Sequence, residues 1–175
     1  MALLAEHTIT AIPGRRVIEV YDADAYVGDE AALDAAETQV VAGNGYHLYL
    51  LSLQPDMKVQ VTIRIWDSQP TPPAEAEGHT DIILESETGT LVVGQLDRGP
   101  ADEVTLPRAG VYEGHAWWQG RQAAADYYDT TLDQLTDDSP EGELAEAWNR
   151  CPVTERYVLD LAYSREPEVV DDDDL

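Results

Sequence analysis

The chain has 175 residues, with 35 Asp and Glu against 10 Lys and Arg, so its formal net charge is −25. That length suits one domain with a proper core and leaves little room for two. A single lysine, Lys58, and a pI near 4.1 exclude a cationic grip on a nucleic-acid backbone or an anionic membrane.

A hydrophobic share of 43% separates the chain from wholly disordered acidic sequences. The opening run Met1-Ala2-Leu3-Leu4-Ala5-Glu6-His7 has no positive region and no long apolar stretch, so no secretory signal is expected. No segment approaches the roughly 18 apolar residues of a membrane helix. The lone Cys151 cannot close an internal disulfide. The expectation is a soluble protein of a reducing, cytoplasmic compartment.

Alternation of apolar and polar residues, the period of half-buried strands, dominates the chain. In order, strands are predicted over 16–21, 38–42, 46–53, 58–66, 81–85, 90–96, 103–106, 110–119 and 156–163. In 58–66, Val59, Val61, Ile63 and Ile65 face one way, and Lys58, Gln60, Thr62, Arg64 and Trp66 the other. The turn residues Ser86-Glu87-Thr88-Gly89 predict a hairpin between two neighbouring strands. Pro70, Pro72 and Pro73 predict a loop over 67–78. Helices are predicted over 123–135, with Tyr127, Tyr128, Leu132 and Leu135 packing inward, and over 141–148, where Leu144 and Trp148 lie one turn apart.

This pattern predicts an all-β fold. It is an antiparallel β-sandwich, jelly-roll-like, of about eight strands, with one or two short inserted helices. The sandwich is expected to span 1–165, followed over 166–175 by a disordered tail containing Asp171-Asp172-Asp173-Asp174. There is no internal repeat.

Charge is unevenly spread. Between Val17 and Met57 there are eight acids and no Lys or Arg, and the same holds from Gln122 to Asn149. On a helix, Asp126, Asp129, Asp133 and Asp137 share one face. Like charges at that spacing cost roughly 0.2–0.5 kcal/mol per pair. The stripe reads either as a solvated face, serving solubility or salt adaptation, or as a surface that steers a basic partner into place.

Catalytic and metal motifs fail one by one. Asp22-Ala23-Asp24 starts like a calcium loop, but Tyr26, Val27 and Leu33 occupy the positions that need a ligand, Gly and Glu. A looser carboxylate site at Asp22, Asp24 and Asp29 stays open. His7, His47, His79, His115 and Cys151 lack the close pairing of zinc sites. Cys151, before Pro152, reads as a small buried hydrophobe, and no phosphate-binding glycine loop occurs. No metal, cofactor or enzymatic activity is expected.

In 110–119, Tyr112, Ala116 and Trp118 share one face, while Val111, Glu113, His115 and Trp117 share the more polar, outward one. Outward Trp117 and Trp66 suit a protein contact or a sugar platform, unless the proline loop or the helices cover them.

Leu106-Pro107-Arg108-Ala109-Gly110-Val111-Tyr112, a strand ending Gly120-Arg121, and Glu155-Arg156-Tyr157-Val158-Leu159-Asp160-Leu161 form a recurrent arrangement. It resembles a bacterial group of small β-sandwich proteins that includes the competence protein J type of nuclease inhibitor. The similarity covers mainly 58–163. The closing strand ends Ala162-Tyr163-Ser164 where that group commonly has a Trp-Pro pair.

The resemblance implies an inhibitor or immunity role. With the acidic stretches, it leads to a non-enzymatic protein that binds a basic partner, a nuclease. The expected contact residues are Asp126, Asp129, Asp133, Asp137 and Asp138, with Trp117 as an anchor; direct nucleic-acid and membrane binding are not expected. The alternative is a small-ligand or carbohydrate-binding sandwich using Trp66, Trp117 and His115.

Overall fold

Among the residues described by the computed structural model, 1–136 and 138–167, ten strands form two five-stranded sheets. In chain order they are β1 (Leu3–Ala11), β2 (Val17–Asp22), β3 (Val41–Gly43), β4 (His47–Leu51) and β5 (Val59–Trp66). There follow β6 (Gly78–Ser86), β7 (Thr90–Gln95), β8 (Gly99–Thr105), β9 (Gly110–Gln119) and β10 (Arg156–Arg165). Helix α1 (Glu30–Gln39) follows β2, while α2 (Arg121–Gln134) and α3 (Glu143–Asn149) lie between β9 and β10.

The first sheet has the order β1-β5-β10-β9-β6, and the second β3-β4-β2-β7-β8. Each pairs its strands antiparallel, apart from β5 and β10. Those two run parallel, with Arg64 beside Asp160 and Trp66 beside Ala162. Period-two alternation places Ile63, Ile65, Leu159 and Leu161 on the inner face of the first sheet. They meet Ile18, Val20, Leu48, Leu50 and Leu91 of the second, all fully buried. Each such side chain contributes roughly 1.5–3 kcal/mol of transfer free energy.

Helix α1 covers the outer face of the second sheet. Its small Ala32 and Ala36 sit against Val17, Tyr49 and Leu51. Asp29 caps it, accepting from the backbone N–H groups of Ala31 at 2.9 Å and Ala32 at 3.1 Å. The predicted strand over 38–42 is therefore divided between the end of α1 and the short β3. An alanine-rich run after an Asp cap favours helix, and the sheet face beneath gives it something to bury. Strand β1 was also not expected, because His7 interrupts its inward row of Ala5, Ile9 and Ala11.

The predicted hairpin does not form. β6 pairs with β9 in the first sheet, whereas β7 pairs with β2 and β8 in the second. Residues 86–89 cross between the sheets, and Gly89 takes the left-handed φ of 79° that the corner requires. The remaining architecture is the expected sandwich with short helices, now with three helices and one parallel strand pair.

The two helices before β10 pack on each other through aromatics. Tyr128 stacks on Trp148 at 4.6 Å, and the Tyr127 hydroxyl donates to the Ala147 carbonyl at 2.5 Å. Against expectation, Leu132 does not pack inward: it is exposed, and α2 buries Ala124, Ala125 and Thr131 instead. Asp137 and residues 168–175, with the four-aspartate run, lie outside the described residues. Glu166 forms an ion pair with Arg108 at 2.6 Å.

Just before β10, Glu155 is buried at the foot of α2. Its Oε1 accepts from Gln54 Nε2 at 3.1 Å and its Oε2 from the Tyr157 hydroxyl at 2.5 Å. Burial pushes its carboxyl up from 4.5, and bonds from Ser52, Tyr157 and Gln54 offset this only partly. A raised carboxyl holds its proton longer folded than unfolded, so stability falls as pH rises above 4.5. In Glu155→Gln the amide oxygen still accepts from Gln54, and the amide NH2 donates to the Tyr157 oxygen once that hydroxyl turns to the Leu51 carbonyl, 3.3 Å away. Glu155→Gln should therefore melt at a higher temperature than wild type at neutral pH. Thermal scans should show the gap closing as the pH is lowered toward 4.5.

Candidate functional site

Two surfaces contain the residues singled out by the sequence. The first is α2 with the turn that follows it. Because Ala124, Ala125 and Thr131 form the buried side, Asp126, Asp129 and Asp133 stand exposed on the other, and Asp138 is exposed beyond the helix. Gln122 Nε2 donates to Asp126 at 3.1 Å. Among the described residues no Lys or Arg forms an ion pair with any of these four aspartates. Asp56 adds a further carboxylate at the flank, accepting from the Tyr128 hydroxyl at 2.6 Å.

The second surface is the outer face of the first sheet. Strand register aligns Glu6, Arg64, Asp160, His115 and Asp81 in one row across all five strands. Asp160, at the centre, is fully buried. Its Oδ1 accepts from Arg64 Nε at 2.7 Å and Trp66 Nε1 at 2.8 Å. Its Oδ2 accepts from Arg64 at 2.9 Å and Trp117 Nε1 at 2.8 Å. Four donors match the acceptor capacity of one carboxylate. Burial alone would raise its pKa, but the bonds from Arg64, Trp66 and Trp117 outweigh this and hold it below 3.8.

The guanidinium of Arg64 lies 5.5 Å from the Trp66 ring and 5.7 Å from that of Trp117, and the Arg156 guanidinium lies 5.4 Å from the Trp117 ring. Trp66, Arg64, Trp117 and Arg156 thus form an alternating aromatic and cationic set over the sheet. Strand β9 approaches β10 closely here because position 114 is glycine, where a Cβ would collide with the Asp160 carbonyl.

Trp117 and His115 face outward as expected, but they are not open to a partner. Trp117 is 3% exposed and His115 4%. The arginines cover the indole, and its N–H is committed to Asp160. His115 Nε2 lies 3.5 Å from Asp160 Oδ2 and makes no hydrogen bond. Burial lowers its pKa, with Asp160 pulling partly the other way. Of the three expected ligand-platform residues, Trp66 alone keeps partial exposure. Arg64 and Asp160 were not singled out from the sequence. The cue was a polar pair recurring on the outward side of two strongly apolar strands.

Two of the three carboxylates of the open calcium reading have other partners, and Asp24 is exposed. Asp22 is buried and accepts from Ser86 Oγ at 2.5 Å and from Thr88 Oγ1 at 2.7 Å, anchoring the crossover. Asp29 caps α1. Among the described residues no group of three His, Cys, Asp or Glu is placed to hold a metal ion, and no helix is long and apolar enough to cross a membrane.

Removing the acceptor from a buried ion pair leaves its partner uncompensated. Asp160→Asn should therefore destabilise the protein by about 3 kcal/mol in chemical denaturation, at the low end because Arg64 keeps 21% side-chain exposure. A carboxyl depressed on folding contributes stability above its ordinary value of 3.8, lost as pH falls through the folded value. The difference between wild type and Asp160→Asn should accordingly shrink on acidification below 3.8.

No family model matches the chain, and no curated protein matches its sequence. Two solved structures are similar in fold. One is ComJ from Bacillus subtilis, an inhibitor of the DNA degrading activity of NucA. It is 11% identical over 93% of this chain and 98% of its own, with a TM-score of 0.59. The other, crocagin biosynthetic gene J, is 16% identical over 93% of this chain and 100% of its own, with a TM-score of 0.56. The resemblance carried by short motifs over 58–163 is thus a likeness of fold over nearly the whole chain.

Proposed function

We propose that this protein is a non-enzymatic inhibitor of the immunity type, acting in the cytoplasm, that binds a basic protein through the acidic surface of α2. The partner we assign is a nuclease. The observation that carries the reading is the exposed, cation-free stripe of Asp126, Asp129 and Asp133, continued by Asp138. A helix that keeps like charges at i, i+3 and i+4 bears a repulsion that a cationic partner removes. The fold shared with an inhibitor of a DNA-degrading enzyme supports the choice of a nuclease, whose substrate groove is cationic by necessity.

Occlusion of that groove requires no bond making by this chain. Long-range attraction would accelerate encounter and orient the two surfaces, with short-range contacts deciding residence time. Trp117 takes no direct part as folded, since Arg64 and Arg156 cover it. A carbohydrate platform would have Trp66 alone as a partly exposed ring.

The test is affinity capture from the source lysate at low salt, with elution by a salt gradient. A single stoichiometric basic protein should leave at moderate salt, and its nuclease activity should fall when the acidic protein is added back. Asp129→Lys combined with Asp133→Lys should slow association on the order of tenfold or more. A spread of unrelated cationic proteins, or an affinity insensitive to salt, would overturn the proposal.

A further inference from the structure

Far from α2 along β4, a second feature resembles a protein contact more than a core. The loop after β2 leaves Tyr26 59% exposed and Val27 42%, and Tyr46 in the neighbouring turn is 37% exposed. Asn44 joins these segments, donating from Nδ2 to the Val27 carbonyl at 3.1 Å and accepting from Tyr46 N–H at 3.0 Å. Asn44 thereby brings together the two segments that carry these three exposed apolar side chains.

Beneath them lies a carboxylate. Glu19 is 5% exposed, and its Oε1 accepts from the Tyr26 hydroxyl at 2.8 Å and from His47 Nε2 at 3.0 Å. Since Glu19 accepts, His47 carries its proton on Nε2. Its fully buried Nδ1 makes no hydrogen bond. Burial would raise the Glu19 pKa, but the bonds from His47 and Tyr26 outweigh it and the carboxyl lies below 4.5. Neither donor is a Lys or Arg, and among the described residues none pairs with Glu19. Rings pack tightly around it: Tyr21 stacks on His47 at 5.0 Å, and Tyr26 meets His47 edge-on at 4.8 Å.

We infer that the exposed ring of Tyr26, backed by Glu19 and flanked by Val27 and Tyr46, is an anchor for an arginine side chain of a basic protein partner. A phenol that donates to a carboxylate has an electron-rich ring, which strengthens its attraction for a cation over its face. Guanidinium is planar and weakly hydrated, and stacks on such rings better than an ammonium. Charge complementarity fixes the class of occupant: no Lys or Arg occurs between Val17 and Met57, Asp24 and Asp29 lie in the same loop, and Glu30 opens the helix that follows it. The inference rests on the proposed basic partner and adds where an arginine of that partner lands.

The test compares an oligoarginine with an oligolysine peptide of equal length, binding the full chain at about 0.15 M salt. Wild type should prefer oligoarginine. Tyr26→Ala, at an exposed position, should weaken oligoarginine on the order of tenfold and oligolysine little, so that the preference disappears. Tyr26→Phe, which keeps the ring but not its bond to Glu19, should fall between. Asp129→Lys with Asp133→Lys should weaken both peptides alike. An arginine preference unchanged in Tyr26→Ala would overturn the anchor and leave the α2 surface standing. A preference lost in Tyr26→Ala, with both peptides unaffected by the α2 variant, would uphold the anchor and remove the interface from α2.

Discussion

Asp160 is held at the centre of the first sheet, out of reach of water, by Arg64, Trp66 and Trp117. A lone carboxylate in that position would be prohibitively costly, so its donors and its location are inseparable. Parallel pairing of β5 with β10 is what sets Arg64 directly beside it, and antiparallel pairing of β9 brings His115 alongside from the other side. Slipping either strand by one residue would turn Arg64 or Asp160 into the apolar core between the sheets. The polar pair on the outside thereby specifies the same register that Ile63, Ile65, Leu159 and Leu161 require on the inside.

The few cations are largely engaged in the same kind of internal bonding. Arg64 pairs with Asp160, Arg15 with Asp97, Arg16 with Glu37, Arg108 with Glu166 and Arg150 with Glu146. Arg121 donates to the Leu51 carbonyl, and Arg156 lies over Trp117. Exposed pairs among these contribute little stability. Their consequence is for the surface: among the described residues, Asp126, Asp129, Asp133 and Asp138 face solvent with no Lys or Arg paired to them. The stretch of α2 from Asp126 to Asp133 and the loop before α1 therefore present acids without a basic residue among them.

Negative surface and buried carboxylates follow different rules here. On α2 the aspartates keep their hydration and repel each other weakly, which makes them suited to long-range steering. Glu19, Asp22 and Asp160 are stripped of water and kept ionised by named donors. Glu19 differs from Asp160 in having no arginine, and it lies below an exposed tyrosine. That contrast is what the proposed arginine anchor rests on.

Composition and alternation were enough to establish the fold class, most strands, the proline loop, both helices before β10 and the acidic stripe. Those features are local: side-chain period and helical spacing are properties of neighbouring residues. Helix α1 was legible in the Asp29 cap and the alanines after it, yet β-branched Val40 and Val41 pulled the reading toward a strand. Partnerships between distant residues were not legible. Nothing near 81–96 shows that its two strands belong to different sheets, because that choice depends on β2 and β9. Trp117 looked outward by alternation and is outward, but its cover comes from Arg64 and Arg156 on other strands. The sequence by itself determined charge, periodicity and which residues face together. Tertiary structure decided which of them touch water, because burial depends on strand order and on side chains brought from 94 and 43 residues away, as Trp66 and Trp117 are to Asp160.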